Sequence, residues 1–588
     1  MTLTPSHSQT YTLLFIITLA FRLATALPLE HAGYMDASYA LHVAENLARG
    51  RGFVEDVLWN YLDNPAGLPH PSNLYWMPLP SLLIAPFFAI FGVAYRVAQI
   101  PFILLSSLLP LFAFYLSQKI FQRDDYAWAA ALFTAFSGFY TIYWVSPDNF
   151  TPFALSASLC LFAIARGTVI ASEAKQSPNS NLEIALLRSS QPQSPLPSLH
   201  SGQALAMTSA RWFFLAGILA ALSHLSRADG VLLLGVVPLA LLFSFRRNAQ
   251  DNAHKALDYE TRNTQYLFRK MLRFTVYCLL GYFIIMSPWF ARNYFAVGTP
   301  YPSAGTKTLW LTNYDELFRF TDDLTLDRYL AQGAGAIVEA KFVAGARNIF
   351  IIAFADLQLF LVPFALIGWW QLRRNNYYLP FTIYFFILYL AMTLLFTFPS
   401  WRGSLFHSAT ALLPFLAVAA PPGIDAAVRW IARRRAAWNA DVAARFFRGG
   451  FVALAIFFSV FLYAQGVFGV LVGDASTIPL WNARDAHYPP IARWLAAHAR
   501  ADDIVMVVDP PSFYNVSHRR AIMLPTDNAA AVFAAARKYG ARYFVLEFDH
   551  PRPLRDLYQE KTTVPGFTRV AEFRDALNRA VFVFEVAR

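Results

Sequence analysis

AGYMDASYALHVAENLARGRGF, residues 32–53, follows directly on the first apolar run of the chain. It places a carboxylate, Asp36, a few positions beyond a membrane-length hydrophobic segment. A helix-like stretch follows and ends in Arg49-Gly50-Arg51-Gly52. An acid so near a lipid boundary acquires meaning once its side of the membrane is known, and the rest of the sequence supplies that side.

Of the 588 residues, 56% are hydrophobic and 14% charged, against about 25% charged in a typical soluble protein. With apolar runs throughout, the solvent for much of the chain is lipid. The net charge of +11 is spread in short clusters between apolar runs, which sets membrane orientation and argues against nucleic acid as a partner. Cys160 and Cys278 both lie inside apolar segments and read as small hydrophobes rather than a disulfide or metal site.

Stretches of roughly 17–25 apolar residues read as spanning helices. They fall at 11–27, 94–121, 126–145, 150–165, 211–225, 231–245, 274–290, 349–370, 378–398, 407–420 and 451–472, about eleven in all. The first lacks a preceding Lys or Arg and carries Arg22 near its end, so an uncleaved span is expected rather than a signal peptide. Residues 82–91 are also apolar, but Pro86 interrupts them and Pro78 and Pro80 crowd their start. They read as a helix along the membrane surface, with a twelfth span as the alternative.

Basic residues fix the sides. Arg246, Arg247, Lys255, Arg262, Arg269, Lys270 and Arg273 fill one loop, Arg373 and Arg374 a second, and Arg429, Arg433, Arg434, Arg435, Arg445 and Arg448 a third. All three share one side if the spans alternate, and the positive-inside rule makes it cytoplasmic. This predicts a multi-pass protein of the plasma or inner membrane, N-terminus inside and C-terminus outside. The loop at 28–95 is then external, and Asp36 faces outward.

Residues 1–473 form the expected membrane domain, interrupted at 167–210 by a segment rich in Ser, Gln, Pro and Asn. That composition gives it no core to bury, and it reads as a disordered cytoplasmic insert. From 474 to 588 the composition is that of soluble protein. IVMVV (504–508), 521–524 and YFVLE (543–547) read as buried strands, and 489–499 and 528–538 as amphipathic helices. Alternation of the two predicts an extracytoplasmic α/β domain. Asp509 follows a strand end, where ligands bind in open α/β sheets, although a lone Asp there is more often a turn residue.

A second acid repeats the placement of the first. Trp144-Val145-Ser146-Pro147-Asp148-Asn149-Phe150 turns the chain between the third and fourth spans, again on the outer side. The plain reading of Asp36 and Asp148 is a pair of solvated loop acids; the functional one is convergence on a cavity at the lipid–water boundary. Arg227 (in SRADG, 226–230), Arg292 (in PWFARN, 288–293) and Arg402 (in WRG, 401–403) defy the cytoplasmic bias and lie on the same face. Guanidinium groups there suit a phosphate, and snorkelling to lipid headgroups is the bland alternative.

These features together resemble a GT-C-fold membrane glycosyltransferase, the polytopic class that uses polyprenyl-phosphate-linked sugars, in particular its aminoarabinose-transferase and protein-mannosyltransferase-like families. The likeness rests on the order and sidedness of several segments. One span precedes an outer loop opening with Asp36-Ala37-Ser38-Tyr39; then come Leu74-Tyr75-Trp76-Met77-Pro78-Leu79-Pro80, Phe91-Gly92, Arg96, Ser146-Pro147-Asp148, Ser226–Gly230, Pro288-Trp289 and Arg292-Asn293. It covers most of 11–420. At one position the chain departs from the pattern. Aminoarabinose-transferase relatives carry a phosphate-contacting lysine just before the proline, where this sequence has Met77.

The resemblance implies inverting transfer of a sugar from its polyprenyl-phosphate carrier to an acceptor hydroxyl on a lipid, glycan or protein. It implies Asp36 as general base, Asp148 as a second catalytic acid, and Tyr39, Arg227, Arg292 and Arg402 as substrate-binding residues. Some relatives use a divalent cation and others none; where one is present, Asp36 and Asp148 are its implied holders, and no other cofactor is implied. His31, His42 and His70 share the outer loop at spacings that match no metal motif and read as surface or interface histidines. The rival from another class is a transporter or flippase for a lipid-linked or glycan substrate, whose signature is mid-span charge, broken helices and repeated halves. A third reading is a membrane anchor for the outer domain, which leaves the long acidic first loop without a purpose.

Overall fold

A computed structural model describes residues 7–176, 199–251, 260–396, 404–435, 438–469 and 478–587. Among these, seven helices are long and apolar enough to cross a membrane: Ser8–Ala26, Tyr95–Phe121, Phe150–Ala171, Ala228–Arg247, Phe268–Val297, Leu413–Ala432 and Ala440–Phe468. Three shorter apolar helices join them, at Leu79–Phe91, Val362–Leu372 and Leu379–Leu395.

Two of the eleven expected spans are broken. Residues 126–145, read as one span, are a helix Asp124–Ala135 followed by two tight 3-10 turns, Gly138–Thr141 and Tyr143–Val145. Gly138 turns the chain at φ 60° and donates its N–H to Ser459 Oγ at 2.7 Å. Residues 349–370 are likewise divided. The Ala334–Ile351 helix opens into a wide π-turn at Ile352–Asp356, Gln358 and Leu359 take left-handed conformations, and a new helix runs Val362–Leu372. Hydropathy sums along the chain and cannot register such breaks.

Helix pairs in the bundle approach closely where glycines face each other, as expected where packing alone drives association in lipid. A Cβ on Gly368 would lie 1.8 Å from the Ala419 carbonyl oxygen, and one on Gly423 1.8 Å from that of Phe364. At the edges of the expected insert the chain is helical: Phe150–Gln176 runs into it and Leu199–Ser226 out of it. Ile170 and Ala171 are buried, so the apolar helix face simply continues past residue 167. The remaining insert residues, 177–198, lie outside the described residues.

A six-stranded sheet gathers at one end of the bundle in the order β2-β5-β4-β6-β8-β7. Five strands come from the C-terminal segment: β4 (Ile504–Val507), β5 (Ala521–Met523), β6 (Ala541–Leu546), β7 (Phe567–Arg574) and β8 (Ala580–Val586). The sixth, β2 (Val57–Leu58), belongs to the first loop and pairs parallel to β5, Val57 opposite Ala521. That loop also holds α2 (Met35–Ala48) and a small ladder of β1 (Val54–Glu55) with β3 (His70–Pro71). The loop and the C-terminal α/β segment thus share one sheet. Trp481 seals the joint by donating Nε1–H to the His31 carbonyl at 3.0 Å; a Cβ on Gly33, at φ +74°, would lie 2.3 Å from its ring.

Candidate active site

Tyr34, extended, starts α2, and Asp36 stands in its first turn, where the helix N-terminus favours an anion. Ala37, Ala40, Val43 and Ala44 turn inward and are buried, which fixes the face on which Asp36 emerges. The helix ends at Arg49, with Gly50 beyond it at φ +75°. Asp148 arrives from the turn after Tyr143–Val145 and is 3% exposed. Its Oδ2 accepts from the Tyr34 hydroxyl at 3.0 Å and its Oδ1 from the Asn149 N–H at 2.6 Å.

The two acids meet. Donor atoms of Asp36, Asp148 and His407 all lie within 4.8 Å of one another. Burial first, and the Asp148 carboxylate second, push the Asp36 carboxyl well above the usual range; Arg227 opposes this, and Asp509 adds to it. Together with Tyr39, Trp76, Met77 and Ser226, the acids line a cavity of about 20 Å³, room for about one water. Met77 stands in that lining, at the position where a lysine would have met a phosphate, and contributes no charge.

Arg227 supplies the cation. Its Nη1 donates to His407 Nδ1 at 2.9 Å and its Nε to Asp229 Oδ1 at 3.0 Å, while Ser408 bonds the other oxygen of Asp229. Because a guanidinium only donates, His407 Nδ1 must accept, which leaves the ring proton on Nε2, facing Asp148 Oδ2 at 3.6 Å. A run of contacts therefore passes from Asp229 through Arg227 and His407 to Asp148 and Tyr34. This bears on a metal. Two carboxylates at this spacing fit a divalent cation that substrate oxygens complete. His407 joins them as a ligand only by exchanging tautomer and giving up its bond from Arg227.

The other expected residues are distributed unevenly. Tyr39 lines the cavity, packs on Trp76 at 4.7 Å and accepts the Asn73 N–H at 2.7 Å. Arg292 sits behind Tyr39: it donates to the Phe53 carbonyl at 2.8 Å and lies over the Phe53 and Trp289 rings. Arg402 lies outside the described residues. His42 is fully buried, accepts the Asp56 N–H at 2.9 Å and is lowered by burial to about 3; His70 pairs with Glu55 at 2.8 Å. These two are structural histidines of the loop interior. Asp509 caps the Pro510–Ser517 helix by accepting the Ser512 N–H at 3.0 Å, and Ser512 Oγ bonds Ser38 Oγ of α2 at 2.7 Å.

Sequence reasoning missed His407, Asp229 and Tyr34. His407 opened an expected span and Asp229 looked like a turn residue. Only the fold brings either to Asp148.

The same architecture occurs in solved structures. ArnT from Cupriavidus metallidurans bound to undecaprenyl phosphate superposes with a TM-score of 0.50 at 13% identity, over 98% of each chain. The fold is GT-C. A second GT-C protein, the Archaeoglobus fulgidus oligosaccharyltransferase tethered to an acceptor peptide containing the NVT sequon, gives 0.51 at 13% identity over 99% of this chain and 74% of its own. The archaeal oligosaccharyltransferase AglB from Archaeoglobus fulgidus, in complex with an inhibitory peptide and a dolichol-phosphate, also gives 0.51, at 12% identity over 94% and 71%. Neither a protein-family model nor a curated protein sequence matches the chain. At such identities the GT-C likeness speaks for the fold.

Proposed function

We propose that the protein is an integral membrane glycosyltransferase that moves a sugar from a polyprenyl-phosphate carrier to an acceptor hydroxyl on the outer face of the plasma or inner membrane, with inversion. The observation that carries the reading is the meeting of Asp36 and Asp148 beside His407, at the end of the bundle where the first loop and the C-terminal sheet close over it. A lipid-phosphate sugar stays in the bilayer and its acceptor does not, so the reacting groups must stand where the sugar head emerges.

In this mechanism Asp36 takes the proton of the acceptor hydroxyl. The oxygen forms its bond to the anomeric carbon as the bond from that carbon to the phosphate oxygen breaks, and the lipid phosphate leaves with the electron pair. A positioned carboxylate acting as general base contributes roughly 10²–10⁴-fold, and burial beside Asp148 makes that of Asp36 more basic than a solvated one. Arg227, anchored by Asp229, stands nearest the acids and carries positive charge toward the departing phosphate, a role the neutral Met77 cannot fill. Asp148, fixed by Tyr34 and His407, orients the acceptor. Where a divalent cation binds, Asp36 and Asp148 hold it, and it adds positive charge for the leaving phosphate. Tyr39 shapes the sugar pocket, Arg292 supports Tyr39 from behind, and Arg402 remains a candidate for a second phosphate contact.

The test is to incubate purified protein with a panel of polyprenyl-phosphate sugars and hydroxylated acceptors, and to follow release of the lipid phosphate. Asp36→Asn should reduce transfer by roughly 10²-fold or more while expression and membrane insertion are unchanged. Full activity in that variant would remove the base assignment; no release from any donor by the wild type would remove the transferase.

A further inference from the structure

We propose that Ser512 and Asn515, in the C-terminal segment, are positioning residues for the Asp36 base: through Ser38 they hold the first turn of α2 where its acid meets Asp148. The inference rests on the transferase reading above and adds residues that act on the reaction without touching the substrate.

The carboxylate of Asp36 depends on its backbone for its place. Among the described residues no side chain hydrogen-bonds it. The backbone beneath it is the first turn of α2, where a helix lacks internal partners for its N–H groups and opens most readily. The N-cap residue, Tyr34, supplies no side-chain cap and spends its hydroxyl on Asp148 instead.

Two anchors flank Asp36, and both come from the far end of the chain. Before it, Arg484 Nη1 donates to the Gly33 carbonyl at 2.9 Å. After it, Asn515 Nδ2 donates to the Ser38 carbonyl at 2.9 Å, and Ser38 Oγ lies 2.7 Å from Ser512 Oγ. The direction of this last bond is set by its neighbour. Ser512 Oγ donates to Asp509 Oδ2 at 2.9 Å, so it accepts from Ser38. Ser38 is 1% and Ser512 2% exposed, and a hydrogen bond shut away from water is the stronger for it.

Behind Ser512 stands a firm support. Its helix, Pro510–Ser517, follows directly on β4, which lies between β5 and β6 in the sheet and is buried along its length. Asp509, the strand-end acid, finds its use here as the acceptor that orients Ser512. Position thus passes from the middle of the sheet through Asp509, Ser512 and Ser38 to Asp36, which shares a helical turn with Ser38. A base displaced by about 1 Å can lose about 10²-fold in rate. Neither Ser512 nor Asn515 borders the acid cavity, so their loss should slow the chemical step and spare donor binding.

The test compares two full-length variants. Ser512→Ala/Asn515→Ala removes both bonds to Ser38. Asn528→Ala removes the cap that accepts the Ala531 N–H at 3.1 Å, and so weakens the Ala529–Tyr539 helix of the same segment away from α2. Transfer from a radiolabelled polyprenyl-phosphate sugar is measured per folded protein, at limiting and saturating donor. The paired variant should lose at least about tenfold in kcat with donor KM unchanged, whereas Asn528→Ala should keep the wild-type kcat. In an Asp36→Asn background the paired change should cost less than about twofold, because the group it positions is gone. Unchanged kcat in the paired variant, an equal loss in Asn528→Ala, or an undiminished loss in the Asp36→Asn background would each overturn the assignment. Full transfer by Asp36→Asn alone would remove the base and this inference with it. If the wild type releases no lipid phosphate from any donor, the transferase reading fails first.

Discussion

Two clusters of carboxylate and arginine sit toward opposite ends of the bundle, and they are built in opposite ways. At the basic end, Arg448 bonds Asp425 directly and reaches Asp125 at 2.5 Å; Arg123 pairs with Asp125 at 2.6 Å, and the Tyr126 hydroxyl donates to Asp425 at 2.8 Å. Every charge there has an opposite charge against it. At the other end, Asp36 and Asp148 face each other and His407, and Arg227 is held one residue away by Asp229 and His407. Burial pushes the Asp125 carboxyl up, but Arg123 and Arg448 more than reverse it, leaving it below the usual range; Asp36 stays well above. The first arrangement fastens three helices together. The second leaves two buried acids facing each other without a cation between them, the kind of perturbed pair that marks a candidate functional site.

Removing a partner should separate the two roles. Arg448→Met strands the buried carboxylate of Asp425 and should cost about 3–5 kcal/mol in unfolding followed in detergent, while the protein that does fold transfers normally. Equal stability would show that the basic end is not a fastening. Asp148→Asn should do the reverse: kcat down by about 10²-fold, near 2.7 kcal/mol in the barrier, with the melting temperature little changed. A large drop in melting temperature would make Asp148 another structural acid.

Much of this was legible in the chain. Asp36 and Asp148 stand out from where they lie relative to apolar runs, because a charge beside lipid is conspicuous, and the structure brings the two together. Arg448 illustrates the limit: it was counted among the loop cations, yet it is 4% exposed and bound to two acids. Charge counting sees a residue's position along the chain and not its partner. His407 was invisible for the same reason, since its meaning comes from Arg227 on one side and Asp148 on the other. The edge strand β2 is two residues long and carries no periodicity to detect.

The smallest effect concerns pH, and its sign differs between the clusters. Asp36 has a raised carboxyl, so ionising it disfavours the fold: stability contributed by its neutral form is lost as pH climbs from the unfolded carboxylate range to the raised value. Asp125 is lowered, so its contribution is present above the unfolded range and lost as pH falls through the depressed value. Asp36→Asn should therefore flatten stability just above the ordinary carboxylate range, and Asp125→Asn just below it, in melting curves taken across pH. Transfer itself should decline as pH drops through the raised Asp36 value. An acid limb at the ordinary carboxylate pH would place that acid in water after all.

The borrowed strand β2 has a bearing on biogenesis. Tyr61, just past it, bonds the Met523 carbonyl across 462 residues of sequence. A growing polypeptide that has emitted its first loop must wait for nearly the whole remainder before that loop can dock. Premature termination ahead of β5 would then leave a bundle whose first loop has no strand to pair with, and a quality-control protease would meet an unfinished edge rather than a finished sheet.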